Sequence, residues 1–185
     1  MSLFVAVFPP GPARVDLERR LTGLRVTAAA AVGGNRIRRT PADKWHVTLA
    51  FLGEVSEDRV DEVEHAATGV LRSPRTPVLR LAGGGSFGRG RSSVLWVGVS
   101  GDLAGLGALH RDLGQAFGGA GLPVDDRPFT PHLTVAYPGE KFEPSRLRAD
   151  LADLGDYEGP PWRVDQVVLV RSRSGTYEPI RTWRW

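Results

Sequence analysis

Two short texts in this chain carry residue types that do acid–base chemistry. The first is His46-Val47-Thr48-Leu49-Ala50-Phe51. The second, 86 residues on, is His132-Leu133-Thr134-Val135-Ala136-Tyr137. Both read histidine, aliphatic, threonine, aliphatic, alanine, aromatic. Histidine is the side chain whose ordinary pKa lies nearest neutrality. A neutral imidazole takes a proton from water while a protonated one gives a proton to a leaving oxygen. Two of them on opposite sides suit in-line displacement at phosphorus. Threonine hydroxyls and backbone N–H groups can donate to the non-bridging oxygens as charge develops. A strained five-membered cyclic phosphate is a fitting target, since acid–base catalysis alone can open it. An unstrained phosphate more often recruits two metals.

The spacing demands strands. Side chains at i and i+2 of a strand share a face, so His46 and Thr48 project together while Val47 and Leu49 face the core. The second copy repeats this with His132 and Thr134 against Leu133 and Val135. A single His-x-Thr is a weak signal; two copies with matching neighbours are a strong one. Each copy follows a Pro-containing loop, Thr40-Pro41 and Phe129-Thr130-Pro131. The repeat implies two similar halves packed face to face about a pseudo-two-fold axis, each giving one strand to a common cleft.

The rest of the chain supplies elements to hold those strands. Ser2–Phe8 is an apolar run closed by Pro9-Pro10 and reads as a buried strand. Pro12–Leu24 has the pattern of a helix opening after Pro. Lys44–Val55 reads as a strand leaving through Gly53. Ser56-Glu57-Asp58 then caps a helix over 57–72 with Val60, Val63, Ala67, Val70 and Leu71 as its stripe. Pro77–Leu81 and Ser93–Val99 read as paired strands around a glycine-rich connection, Gly83–Gly90. A helix spans 102–117 and is stopped by Gly118, Gly119 and Gly121. His132–Tyr137 is a strand, and 144–154 a helix. Val164–Arg171 and Tyr177–Trp183 close the chain as a hairpin about Ser174-Gly175. Helices alternate with strands joined by hairpin-length loops. The pattern predicts an α+β fold with antiparallel sheets, helices outside and a central cleft.

Composition narrows the function classes. The chain has 185 residues, 41% hydrophobic and 24% charged, the usage of a globular protein. One bilobal domain over 1–185 is expected, burying about 70% of the surface of the unfolded chain. The absence of cysteine excludes disulfides, thiolate metal sites, Fe–S clusters and a cysteine nucleophile. Net charge is +3, and the pI of about 9.8 rests on arginine: 22 of the 24 basic residues are Arg, the exceptions being Lys44 and Lys141. Arginine suits phosphate, but so small an excess does not by itself make a nucleic-acid-binding protein. No apolar run approaches a membrane span. Met1–Pro10 reads as a strand rather than a signal peptide, and the expected compartment is the cytoplasm.

With these residues in view, the chain resembles the 2H phosphoesterase superfamily, named for two His-x-Thr motifs. Within it, the chain is similar to the RNA 2′,3′-cyclic phosphodiesterases, also described as 2′-5′ RNA ligases. The likeness runs through Leu3–Val7, Trp45–Gly53, Val94–Val99, Arg127–Ala136 and the tail Arg171–Tyr177. It implies a bilobal fold and hydrolysis of a terminal 2′,3′-cyclic phosphate on RNA to a 2′-phosphate. Carried over, His46 is the proton donor and His132 the proton acceptor, with Thr48 and Thr134 holding phosphate. The sequence does not order these roles, because the two copies are nearly symmetric. Reversal would join a cyclic end to a 5′-hydroxyl without ATP. The implied partner is an RNA end bearing a 2′,3′-cyclic phosphate; no cofactor, metal, membrane or protein partner is implied. Two alternatives stay open: a module that binds an RNA or nucleotide end without turnover, and a phosphodiesterase for small cyclic nucleotides or 2′-5′ oligoadenylates.

Further residues are candidates for RNA contact. Where the family often has Arg after the second motif, this chain has Tyr137, which stacks on a base or packs. Arg127 lies within reach of a backbone phosphate. Arg89 and Arg91 could form a basic flap in the glycine-rich connection, which lacks the ending of a P-loop and leads into no helix. Phe51 and Phe129 flank the motifs and could stack on a base. His65 and His110 read as surface or boundary residues. The five Trp (45, 96, 162, 183, 185) read as packing residues or strand-edge caps.

Overall fold

The computed structural model describes residues 1–32 and 37–185. Two antiparallel sheets form the frame. The first has the order β3 (Val47–Glu54), β1 (Ser2–Val7), β8 (Gln166–Arg173), β9 (Thr176–Arg184). The second has the order β2 (Arg38–Arg39), β6 (His132–Tyr137), β5 (Val94–Gly101), β4 (Val78–Phe87), β7 (Trp162–Arg163). The five α-helices are α1 (Gly11–Thr22), α2 (Arg25–Val32), α3 (Val60–Leu71), α4 (Leu103–Gly119) and α5 (Pro144–Leu154). This is the expected α+β architecture. Among the described residues no helix is long and apolar enough to cross a membrane.

The halves repeat one device. β1 leads through α1 and α2 to β3, its antiparallel neighbour; β5 leads through α4 to β6, its own antiparallel neighbour. The helices then exchange sheets. α4 packs on β3 and α3, while α1 and α5 pack on β4. One apolar cluster therefore runs through both sheets, with Leu3, Val47 and Leu49 from the first and Leu81, Val97 and Leu133 from the second. Alternation along β1 sorts its two faces. Leu3, Val5 and Val7 enter that core, while Phe4 and Ala6 turn to a smaller cluster with Val168 and Val170 on the opposite face. Helical spacing does the same for Leu106, Leu109, Leu113 and Phe117 of α4, all buried. The Asp102 carboxylate caps that helix by accepting the Gly105 N–H at 2.8 Å.

The structure corrects the sequence reading in three places. The glycine-rich connection is mostly strand: β4 runs on to Phe87, and Gly84 and Gly85 pair with Val97 and Trp96. The glycines make room. A Cβ on Gly85 would stand 2.1 Å from the Trp96 ring, and one on Gly84 2.8 Å from Leu154. Gly118 and Gly119 do not stop α4, which runs through Gly119; the turn comes at Gly121, whose φ of 65° favours glycine. A second helix, α2, stands after α1 where none was expected. Its first N–H groups are capped from a distant element. The fully buried Asp150 of α5 accepts the Arg25 N–H at 2.8 Å and the Val26 N–H at 2.9 Å. The short strands β2 and β7 also escape sequence patterning.

Candidate active site

Both motif histidines are held in the same way. His46 stands just ahead of β3, after a single 3-10 turn at Ala42–Lys44. Trp45 beside it is buried, and its indole N–H donates to the Thr40 carbonyl at 3.0 Å, pinning the loop. His46 Nδ1 lies 2.7 Å from the Lys44 carbonyl oxygen. His132 opens β6, and its Nδ1 lies 2.7 Å from the Thr130 carbonyl oxygen. A carbonyl only accepts, so Nδ1 carries the hydrogen in both rings. In the neutral tautomer Nε2 is then the free basic nitrogen. Each lock comes from the residue two places back, as the repeated sequence requires.

The period-2 reading of the motif strands holds. Val47, Leu49, Leu133 and Val135 are buried, while His46, Thr48, His132 and Thr134 are half-buried. Among the described residues the Thr48 and Thr134 hydroxyls have no hydrogen-bond partner, so both remain available to a ligand.

The surroundings differ. His46 is enclosed by aromatics: Phe4 stacks on it at 4.8 Å, Tyr177 meets it edge-on at 5.4 Å, and Phe8 lies at 5.7 Å. Lys44 closes this corner by donating to the Gly175 carbonyl at 2.5 Å. Burial holds the His46 imidazole below its ordinary pKa, the Lys44 carbonyl works the other way, and the positive charge of His132 lowers it further. The two imidazoles therefore sense each other. His132 instead meets Phe87 edge-on at 4.9 Å and Trp96 at 5.8 Å. It opens on a cavity of about 550 Å³ shared with Thr48, Phe51, His110, Arg127 and Phe129.

The predicted residues divide accordingly. Thr48, Phe51, Arg127, Phe129 and His132 line that cavity; His46, Thr134, Tyr137, Arg89 and Arg91 do not. Phe51 is 43% exposed. Phe129 already stacks on His110, 4.1 Å away and nearly parallel. Arg127 is engaged by Asp125 through two of its guanidinium nitrogens, at 2.5 and 2.9 Å, and holds that carboxyl below the usual range. Arg91 pairs with Glu140 at 2.9 Å, and Arg89 is exposed on the turn after β4. Tyr137 lies under the Arg38 guanidinium, 5.0 Å from its ring centre. Among the described residues no three His, Asp or Glu side chains cluster as metal ligands.

A family description, the 2′-5′ RNA ligase superfamily, matches residues 14–176. The chain belongs to the 2′-5′ RNA ligase superfamily. A Geobacillus stearothermophilus protein named RNA 2′,3′-cyclic phosphodiesterase is 38% identical over 145 residues, 75% of this chain. The match spans only 44% of that relative's length. A protein of the same name from Aeropyrum pernix is 30% identical over 164 residues, covering 87% of this chain and 90% of its own. The fold is that of TT0787 of Thermus thermophilus, with a TM-score of 0.73 at 24% identity over 100% of this chain and 97% of that one. It is also that of E. coli LigT complexed with 3′-AMP, with a TM-score of 0.72 at 24% identity over 99% and 97%.

Superfamily membership accounts for the motifs but not for what surrounds them in this member. Sequence reasoning missed His110, set aside as a surface or boundary residue. It is half-buried, its Nδ1 lies 2.7 Å from the Leu49 carbonyl of β3, and it faces the cavity. It also missed Phe4, Phe8 and Tyr177 around His46. Trp96 and Phe87 wall His132 as well as packing. No local signal marks these residues; only strand register brings them in. His65, by contrast, is exposed on α3 as expected.

Proposed function

We propose that this chain hydrolyses the terminal 2′,3′-cyclic phosphate of RNA to a 2′-phosphate, using two histidines and no metal. The observation that carries the reading is the matched lock: each Nδ1 is bonded to the carbonyl two residues back, which leaves both Nε2 atoms for proton transfer. The names of the relatives point the same way. A water oxygen bonds to phosphorus and gives its proton to His132 Nε2. The bond from phosphorus to O3′ breaks, and O3′ takes the proton on His46 Nε2. The products are a 2′-phosphate and a 3′-hydroxyl, and the two histidines end with exchanged protonation. Burial disfavours the charged form of His46 in the free protein; the anionic phosphodiester favours it, so substrate promotes formation of the acid. Thr48 and Thr134 donate to the non-bridging oxygens. Phe51 is the aromatic surface free for a base. With a 5′-hydroxyl attacking in place of water, the same displacement makes a 2′-5′ linkage without ATP. The expected compartment is the cytoplasm.

The test is an RNA oligonucleotide ending in a 2′,3′-cyclic phosphate, incubated in chelator with wild type, His46→Ala and His132→Ala. The expected result is a 2′-phosphate end from wild type and losses of about 10²–10⁴ in rate for either variant. Full turnover by the double variant, or RNA bound with no product across the pH range, would overturn the reading.

A further inference from the structure

The unpaired cleft face of the first sheet continues past the histidine. Ala6 of β1 pairs with Thr48 of β3 on one side and Val168 of β8 on the other, and Val168 pairs with Thr182 of β9. These four residues form one row across the sheet, on the face that carries Phe4, Ala6, Val168 and Val170. Two residues along each strand, the same register gives the row His46, Phe8, Gln166, Arg184. Gln166 and Arg184 are themselves a pair, and Phe8 lies against the His46 ring at 5.7 Å. Neighbouring strands are about 4.8 Å apart, so Arg184 sits about 14 Å from His46 across the sheet. That is farther than one ribose and its phosphate extend.

The far end of this row opens into a cavity of about 470 Å³ lined by Phe8, Gln166, Arg184, Arg14 and Arg163. Among the described residues none of the three arginines forms an ion pair; Arg163 touches only the Thr76 hydroxyl, at 3.4 Å. Arg127, which lines the other cavity, is by contrast engaged by Asp125. Asp165 and Trp185 also line the groove. Three guanidinium groups free of carboxylates, and a glutamine amide, leave an anion-binding surface joined to the active site by Phe8.

We infer that this groove holds the phosphodiester backbone of the RNA on the 5′ side of the reacting end, so that the substrate is an RNA chain and not a small cyclic nucleotide. The inference rests on the phosphodiesterase reading, in which O3′ leaves on the His46 side. The terminal ribose then lies toward His46, and the preceding nucleotides follow the row to Arg14, Arg163 and Arg184. Phe8 offers a ring on which the intervening base can stack.

The experiment compares wild type with the Arg14→Ala/Arg184→Ala double variant on two substrates, a cyclic-ended oligonucleotide and a 2′,3′-cyclic mononucleotide. The double variant should lose about tenfold or more in kcat/KM on the oligonucleotide, almost all in KM, and stay within about twofold of wild type on the mononucleotide. In parallel, anisotropy follows binding of a labelled oligonucleotide with an unreactive 3′-phosphate end. Removing two phosphate contacts should reduce the slope of log affinity against log salt by about 1.4. An unchanged slope and affinity would overturn the groove assignment even if the enzyme turns over both substrates. Absence of turnover by wild type would overturn the reaction instead, and the binding arm would still decide the groove.

Discussion

Gly85→Ala is the most searching perturbation of the His132 wall. The added Cβ would meet Cζ2, Cη2 and Cε2 of Trp96 at 2.1, 2.2 and 2.6 Å. Bringing the nearest of these to an ordinary 3.4 Å contact moves the indole by about 1.3 Å. The ring cannot move freely: Phe87 lies 5.1 Å away on one side and His132 at 5.8 Å. Overpacking of this kind costs about 1–3 kcal/mol. At about 2–4 °C per kcal/mol for a chain of this size, Tm falls by about 2–12 °C. The shift is also passed to the imidazole, and a misplacement near 1 Å can cost about 100-fold in rate. We expect kcat to fall by about 10–100-fold with little change in KM. Gly69→Ala is the control, because its Cβ meets nothing within 4 Å on an exposed turn of α3. That change should raise stability by about 0.5–1 kcal/mol. Trp96→Leu in the Gly85→Ala background removes the clash and should return most of the lost stability. Thermal unfolding and steady-state turnover of the four proteins decide the matter. Wild-type Tm and kcat in Gly85→Ala would refute the claim that Trp96 fixes the position of His132.

Two further predictions concern buried charge. Asp150→Ala removes the acceptor for two backbone N–H groups at the start of α2, and for the Arg25 guanidinium at 3.2 Å. Loss of a cap with its donors left unpaired should cost about 2–4 kcal/mol, and Asp150→Asn, which keeps one acceptor oxygen, should cost less; a Tm within about 2 °C of wild type for Asp150→Ala would count against the capping role. The second concerns His46, whose folded-state pKa lies below the ordinary 6.5. Between that folded value and 6.5 the unfolded chain binds a proton that the folded chain does not, so stability falls as pH drops through this window. Denaturant midpoints from about pH 5 to pH 8 should show a shallower acid loss in His46→Gln than in wild type, and parallel curves would refute the assignment.

The fold was legible wherever side-chain period and turn chemistry are local. His132–Tyr137 and the helix 144–154 are found with the bounds read from sequence. The closing hairpin turns at Ser174-Gly175, with φ of 48° and 79° at the two residues, as a two-residue turn of this kind requires. What was not legible depends on partners far along the chain. The Arg25–Val32 helix is capped by Asp150, more than a hundred residues away, and no local cap announces it. The Gly83–Phe87 segment reads as a connection because glycine weakens a strand. Gly84 and Gly85 are there because Leu154 and Trp96 occupy the space their side chains would need, and Gly83 because its φ is 63°.

The same distinction governs the site. The i, i+2 spacing and the Nδ1 lock are properties of a few consecutive residues, so both motifs yield them equally and the sequence is nearly symmetric between them. The asymmetry between the two imidazoles comes from cross-strand neighbours. His46 receives Phe4 from β1, Phe8 just past its end and Tyr177 from β9, and is desolvated by burial. His132 receives Phe87 and Trp96 from β4 and β5 of its own sheet and faces a cavity. Burial disfavours a charged imidazole at the first position. On the proposed mechanism His46 is charged by an arriving anion and His132 meets water from the cavity. On that mechanism, exchanging the two environments, and not the two motifs, would exchange donor and acceptor.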